Sequence, residues 1–290
     1  MARSVFHLSP RVITTQTQSL GSLQGHLSLV CSRSEDGRSY LSQQSFRAPL
    51  QISKPYWTGE ALLVNMVNPT AGLFSGDEIE ISALVEPGAR LLLTTPAASR
   101  AHAMPSGGAR VRQKFQVMEG GWLEVLPELF IPQADCEYSQ QTTVEIEPGG
   151  ELFLAEAVAP GRVARGESYQ FRDLRWALNL RHGGKLLARE RARLTPDSPN
   201  TLSARRIFPN AYHAACFCVS PRAGEEHPAW GRIRDLHSAT EWVGVSRLGD
   251  HGRVIRILAG DSVGLSRALK AARSLLEPLF PALAADSRKL

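Results

Sequence analysis

The chain has few of the residues that metal and redox motifs need. Its 290 residues include four cysteines, and no two of them form a C-x-x-C pair, which excludes a zinc ribbon and a thioredoxin-type motif. Cys216 and Cys218 point the same way if their segment is a strand. The eight histidines are scattered, and neither H-x-x-x-H nor H-E-x-x-H occurs. The sequence therefore contains no strong metal-ligand cluster.

Long runs of one residue class are also missing. No run of 18 apolar residues and no N-terminal apolar h-region occur, so we expect neither a membrane span nor a secretory signal, and we expect a cytoplasmic location. The net charge is +5, but no block of five Lys or Arg residues occurs, which argues against a nucleic-acid-binding arm. A hydrophobic content of 43% and a charged content of 21% exclude general disorder.

The usual motifs of catalysts are absent or incomplete. There is no G-x-x-x-x-G-K-[ST] P-loop and no G-x-G-x-x-G after a strand. Residues 260–264 match G-x-S-x-G, but no histidine follows His251, so the hydrolase order of the triad is impossible. A triad in another order, with His213 or His237, stays open. We interpret Asp261 or Ser262 as a helix cap and expect no enzyme.

A recurring glycine turn organises the first two thirds of the chain. It has a strict form at residues 86–91, 119–123 and 147–152 and looser forms at 181–186 and 36–38. From residues 88 to 183, its glycines are spaced 32, 29 and 34 residues apart. Because β-prone residues flank each turn, the pattern predicts a mostly β fold, an elongated stack of antiparallel β-hairpins. A meander with similarly spaced turns is the alternative.

After about residue 205 the pattern changes to that of a small α+β unit. The predicted strands cover residues 212–219, 241–248 and 253–258, and the predicted helices cover residues 228–239 and a segment that begins near residue 262. The expected organisation is a loose lead-in over residues 1–22, a hairpin region over 23–205 and the α+β unit over 206–290, in one structural unit.

Two acids lie inside apolar segments of strand character. Glu156 follows Leu152 and Leu154 at a period of two, so it shares their face and is expected to point inward. Glu190 lies in a similar segment, residues 186–191. A carboxylate directed into a fold is costly unless it is paired, hydrated or bound to a metal ion. Both acids are therefore candidates for a role beyond packing.

Several segments, taken in order, resemble the urease accessory protein family UreD, also called UreH. The matching motifs are N-P-x-x-G-x-x-x-G-D from residue 68, P-G-A-x-x-L-L-T-T-P-A-A-S-[KR] from residue 87, G-x-L-E-x-L-P-E-x-x-I-P from residue 121 and L-A-E-x-x-x-x-G-R from residue 154. The resemblance covers roughly residues 25–280. The sequence departs from the family pattern at Thr70, Ala71, Ser75, Ala101 and His102. Composition alone favours the interpretation of residues 68–78 as a strand connection with solvated acids.

The resemblance implies a urease maturation factor. Such a protein binds apo-urease and UreF, and UreF recruits the GTPase UreG, which carries nickel; a dimer of the accessory complex is left open. No tightly bound cofactor is expected, and nickel would pass transiently along a polar channel. The positions that match the family's polar residues are Asp77, Glu78, Ser99, Glu156 and Glu190. Carboxylates suit such a path because imidazole and thiolate would hold nickel tightly.

Two apolar groups are candidates for partner binding. Leu129, Phe130 and Ile131 lie between two prolines, which predicts an exposed patch. Leu276 and Leu279 belong to an amphipathic C-terminal helix. Two alternative functions remain, namely an assembly module that never contacts metal and a β-solenoid enzyme that uses carboxylates. The enzyme would need two acids across a cleft, as in glycoside hydrolysis.

Overall fold

Strands dominate the computed structural model, which describes residues 22–70 and 72–287. The strands of this part are β1 (Gln24–Arg33), β2 (Ser39–Arg47), β3 (Gln51–Ile52), β4 (Tyr56–Thr58), β5 (Ala61–Val67), β6 (Glu78–Val85), β7 (Arg90–Thr94), β8 (Ser99–Ala101), β9 (Ala109–Val117), β10 (Trp122–Leu126), β11 (Phe130–Pro132), β12 (Glu137–Ile146), β13 (Glu151–Val158), β14 (Gly161–Arg162), β15 (Glu167–Ser168), β16 (Asp173–His182), β17 (Lys185–Leu194), β18 (Tyr212–Val219), β19 (Glu241–Leu248) and β20 (Gly252–Ala259). The helices are α1 (Pro199–Ile207), α2 (Pro228–Arg234) and α3 (Ser262–Leu275), with 3-10 turns at Val163–Arg165 and Pro281–Ala284.

Two large sheets face each other, and helices cover the second. The first sheet has the order β17-β16-β12-β9-β6-β1-β2, and the main path of the second has the order β19-β20-β18-β13-β10-β7-β5-β3. One apolar core fills the space between the sheets, and another lies between the second sheet and helices α2 and α3. The second sheet is thus the middle layer of three. The mostly β fold class that the sequence predicts is confirmed.

Side-chain alternation explains both cores. In β6, Ile79 and Ile81 are buried on the inner face, whereas Glu80 between them is exposed. In β10 all five residues are buried, because Leu123 packs between the sheets while Trp122 packs against the helical layer. A strand of the outer layer therefore alternates apolar and polar residues, and a strand of the middle layer is apolar on both faces.

The strict glycine turns are corners between sheets, which corrects the predicted antiparallel hairpins. The turn at Gly88 connects β6 of the first sheet to β7 of the second, and the turns at Gly120 and Gly149 do the same for β9–β10 and β12–β13. Strands of successive coils then pair in parallel within each sheet. The corners stack through bonds of 3.2 Å from the amide of Gly88 to the carbonyl of Glu119 and from Gly120 to Gly149. Positive φ permits a tight turn in either arrangement, so the turn sequence alone does not identify the partner strand.

True hairpins occur at the loose members of the repeat. The pairs β1–β2 and β16–β17 are antiparallel, and they surround the turns at Gly37 and Gly183. In the C-terminal part, the predicted strands over residues 212–219 and 241–248 are confirmed, and β20 is one residue longer at each end than predicted. Strand β18 pairs with β13, so the C-terminal part extends the second sheet. The predicted lead-in lies outside the described residues except for Ser22.

The helices begin at recognisable caps. Asp261 caps α3, since its Oδ1 accepts a 2.7 Å hydrogen bond from the amide of Gly264, and Ser262 is the first helical residue. Helix α2 begins at Pro228 as predicted but ends at Arg234, which is earlier than predicted. Helix α1, capped by Ser198, is absent from the sequence-based prediction.

Candidate functional site

A cavity of about 300 Å³ lies between the two sheets. Its walls are mostly apolar, with Ile79 and Val111 from the first sheet and Val125 and Leu154 from the second. Residues 95–100 border it, and Ser99 there is exposed. A small apolar chamber that reaches the surface beside a serine could admit water or a small ion.

Two acids line this cavity, Glu128 and Glu156, and Glu156 is the one on a strand of the second sheet. As its alternation with Leu154 predicts, it lies on the inner face of β13, and part of its surface stays accessible from the cavity. Its Oε1 accepts a 2.6 Å hydrogen bond from Nε2 of Gln140, whose own Oε1 accepts a 2.7 Å bond from the hydroxyl of Tyr138. Burial, and next the charge of Glu190, raise the pKa of Glu156 to about 7. Near neutral pH this carboxyl is therefore partly protonated and partly charged, and a bound cation would stabilise the charged form.

Glu190 and Arg256 complete the charges beside Glu156. Glu190 on β17 of the first sheet forms an ion pair with Arg256 on β20 of the second. In the strand register of the second sheet, Glu156 pairs with Ala215, and Ala215 pairs with Arg256. The side chains of Glu156 and Arg256 therefore lie on the same face of that sheet. Burial, and next the charge of Arg256, lower the pKa of His213 on the neighbouring strand to about 4. His213 is therefore neutral at physiological pH.

The other two predicted acids have partners elsewhere. Asp77 is buried, and its two carboxylate oxygens accept bonds of 2.9 Å and 2.8 Å from the amides of Leu23 and Phe74. Glu78 forms a 2.9 Å ion pair with Arg110 on the outer face of the first sheet, opposite to the cavity-lining Ile79. The structure thus places Ser99 and Glu156 on the lining of one cavity and Glu190 near Glu156, whereas Asp77 and Glu78 do not line this cavity.

The candidate partner-binding residues are less exposed than the sequence suggests. Leu129, Phe130 and Ile131 are half-buried, and the ring of Phe130 packs against Tyr138 at 4.4 Å between centroids. Leu276 and Leu279 are 0% and 3% exposed, because α3 ends at Leu275 and the chain then turns back into the core beneath it. These two leucines stabilise the helical layer and present no surface to a partner.

Two of the family departures, Thr70 and His102, have local explanations. The hydroxyl of Thr70 donates to Oδ1 of Asn68 at 2.6 Å, which holds the loop before Gly72. The imidazole of His102 stacks on Phe74 with 4.5 Å between ring centroids and 9° between planes. An aromatic ring is thus kept at position 102, while Ala71 lies outside the described residues.

Sequence reasoning missed Gln140 and Arg256. The sequence did contain a signal for Gln140, because every second residue of β12 faces inward. The first inward-facing positions are Tyr138, Gln140 and Thr142, and the later ones are apolar. Arg256 gave no signal, because its contact with Glu190 joins residues 66 positions apart. Cys216 and Cys218 share the buried face towards the helices, as their spacing predicts.

Two absences hold for residues 22–70 and 72–287. This part of the chain has no group of three or more His, Cys, Asp or Glu side chains placed to hold a metal ion. Its helices are all too short or too polar to cross a membrane.

Similarity to known proteins identifies the family. A family model described as UreD urease accessory protein matches residues 23–289. The chain belongs to the UreD family. It is 40% identical over 271 residues to the urease accessory protein UreD of Opitutus terrae, covering 92% of this chain and 98% of that protein. It is 30% identical over 248 residues to the UreD of Acetivibrio thermocellus, covering 83% of this chain and 93% of that protein. The family resemblance seen in the motifs is confirmed.

Proposed function

We propose that this chain is a urease maturation factor that helps to load nickel into apo-urease. Membership of the UreD family supports the role in maturation, since its relatives are named urease accessory proteins. In this proposal the chain is not an enzyme. It binds apo-urease and a UreF protein, and the GTPase UreG joins through UreF and brings the nickel.

The cavity that contains Glu156 is the observation that carries the nickel step. A carboxylate within an apolar chamber attracts a divalent cation, and its oxygen atoms bind nickel less tightly than imidazole or thiolate would. The ion can therefore leave again, which a path requires and a storage site does not. We propose Ser99 at one side of this path and Glu190 beside Glu156. Asp77 and Glu78 are left out, because backbone amides and Arg110 already occupy them.

The neighbouring positive charge fits transient rather than permanent binding. Arg256 pairs with Glu190 and shares a face of the second sheet with Glu156. It opposes a lasting accumulation of cations at this end of the cavity. A divalent ion held by one carboxylate beside a guanidinium would exchange quickly with water.

Maturation of urease in cells tests this proposal. Urease subunits and the other accessory proteins are expressed with the wild-type chain, with Glu156→Gln or with Glu80→Gln, a control at an exposed acid that is paired with Arg112. We expect Glu156→Gln to form the complex with UreF and apo-urease while nickel content and urease activity fall. Glu80→Gln should match the wild type.

Other outcomes separate the alternatives. Full activation by Glu156→Gln would indicate an assembly module without metal contact. Loss of the complex itself would indicate that Glu156 has a structural role. If urease were activated equally well without this chain, the maturation proposal would be wrong.

A further inference from the structure

The net charge of the chain is concentrated in one half of the first sheet. The adjacent strands β9, β12, β16 and β17 contain nine Lys or Arg residues and four Asp or Glu residues. Their net charge of +5 equals the formal net charge of the whole chain. One of the four acids, Glu190, points away from the outer face and pairs with Arg256 of the second sheet. The outer face of these strands is therefore the strongly basic surface of the molecule.

Two lines of cations run along this outer face. One line lies on β9 and the other on β17, with β12 and β16 between them, and all six side chains are exposed. They face outward because residues next to them, such as Val111 and Ala188, are buried between the sheets. The strand register places the cations in three opposite pairs, which are Arg110 and Arg193, Arg112 and Arg191, and Lys114 and Arg189.

The outward positions between the two lines are uncharged, with one exception. The exception is Arg175 at one end, where it shares the carboxylate of Asp173 with Arg193. None of these positions carries an aromatic ring or an aliphatic side chain larger than alanine. We call the two lines and the surface between them the basic groove, and its uncharged floor consists of Ser139, Gln141, Thr143, Ala177 and Asn179.

Acids of the chain compensate only half of the six cations. Arg110 and Arg112 pair with acids of β6, and Arg193 pairs with Asp173. These pairs are largely exposed, so they contribute little and do not compete strongly with an incoming carboxylate. Within residues 22–70 and 72–287, the other three cations have no carboxylate partner, and these are Lys114, Arg189 and Arg191. A surface of this charge attracts an anionic partner.

The dimensions of the basic groove match those of an α-helix. The backbones of β9 and β17 are three strand spacings apart, which is about 14 Å. A helix with its side chains is about 10–12 Å wide. Successive cations on one strand are two residues, or about 6.7 Å, apart. Carboxylates at positions i and i+4 of a helix are separated by a rise of about 6 Å. A helix that lies along the strands would thus direct successive carboxylates on each flank to successive cations.

We propose that the basic groove binds an acidic α-helix of a partner protein, with carboxylates on both flanks of the helix. A nucleic acid fits the groove less well, because the groove has no aromatic ring for base stacking and is too flat to enter the groove of a duplex. An anionic membrane also fits less well, because the groove has no apolar side chain to insert. This docking does not rest on the proposed nickel path, since its assay contains neither urease nor metal.

Fluorescence anisotropy of the full chain with labelled peptides tests the groove. The probe is a helical, alanine-based peptide with glutamates at i, i+4 spacing on two flanks. We expect this peptide to bind, more weakly as salt is added, and to lose at least about tenfold in affinity for the double variant Lys114→Gln, Arg189→Gln. The matched control is Arg232→Gln, Arg234→Gln on α2, in the helical layer on the opposite side of the molecule, and it should bind like the wild type.

Three results would overturn the proposal. The first is equal affinity for the peptide in the wild type and in the double variant, whose fold is checked by circular dichroism; if that variant does not fold, the exposed Arg191→Gln decides in its place. The second is equal affinity for a peptide of the same charge that proline keeps from forming a helix. The third is tighter binding of a single-stranded oligothymidylate, or of vesicles of equal parts phosphatidylserine and phosphatidylcholine, than of the helical peptide.

Discussion

Gln140 and Glu156 are joined by a 2.6 Å hydrogen bond that crosses the interior between the two sheets. Gln140 belongs to β12 of the first sheet, and Glu156 belongs to β13 of the second. The amide Oε1 of Gln140 is itself held by Tyr138, so Nε2 is directed at the carboxylate. The bond therefore fixes the position of the one acid that lines the cavity wall on β13 and partly offsets its burial.

The raised pKa of Glu156 predicts a pH-dependent stability. Its pKa rises from 4.5 to about 7 on folding, so the folded state holds its proton more tightly than the unfolded state between these values. The contribution of this proton is fully present below pH 4.5 and is lost as the pH rises through 7. Glu156→Gln should therefore be more stable than the wild type at pH 8, by up to about 3 kcal/mol, with no gain at pH 4.5.

Urea unfolding of both proteins at several pH values measures this difference. Glu80→Gln, at an exposed acid on the outer face of β6, should show no such dependence on pH. A constant difference between Glu156→Gln and the wild type from pH 5 to 8 would show that Glu156 is ionised normally in the fold.

Asp77 should contribute to the stability of the fold rather than to the transfer of nickel. Asp77→Ala removes the acceptor of the amides of Leu23 and Phe74 and leaves both without a partner, so the free energy of unfolding should fall by about 2–4 kcal/mol. Chemical denaturation measures the change, and Glu80→Ala serves as the exposed control. A loss below about 1 kcal/mol would mean that water replaces the carboxylate at little cost.

Substitutions of different size at Ser99 test whether nickel passes the opening of the cavity. Ser99→Phe puts a large ring beside the opening, while the exposed position tolerates it without loss of fold. Because Ser99→Ala keeps the opening wide, only the Phe variant should reduce the nickel content and activity of co-expressed urease. The proposed path would not pass this opening if both variants activated urease fully.

The cap of α3 predicts a contrast between two adjacent residues. Asp261→Ala removes the acceptor for the amide of Gly264 and should cost about 1 kcal/mol of stability. Ser262→Ala, at the first helical residue, should change stability by less than about 0.5 kcal/mol. Thermal unfolding of the two variants distinguishes them, and an equal effect would remove Asp261 as the cap.

A buried ion pair ties α3 to the second sheet. Nε of Arg273 lies 2.7 Å from Oε1 of the fully buried Glu124. Arg273→Met should lower the free energy of unfolding by about 3 kcal/mol, because it removes a guanidinium that forms two hydrogen bonds with the buried carboxylate of Glu124. Arg247→Met, at an exposed pair, should change it by less than about 0.5 kcal/mol. Denaturant titration measures both changes, and comparable small losses would show that the pair of Arg273 and Glu124 contributes little to stability.

Local patterns in the sequence determined which face each side chain takes. The period of two in β13 placed Glu156 on the inner face, and the cap at residues 261–262 marked the start of α3. The order of short motifs was sufficient to indicate the family. These features depend on residues within a few positions of one another, so they can be read without knowledge of the fold.

The tertiary structure alone decided which strands pair and which side chains meet. A glycine turn serves equally in a hairpin and in a corner between sheets, so the parallel stacking of coils was not visible in the turn sequence. Likewise, Asp77 meets the amide of Leu23, 54 positions away, and His182 meets His251 across two hairpins. Such contacts arise because packing of the two sheets brings distant segments together, and that packing minimises exposed apolar area over the whole chain rather than within any segment.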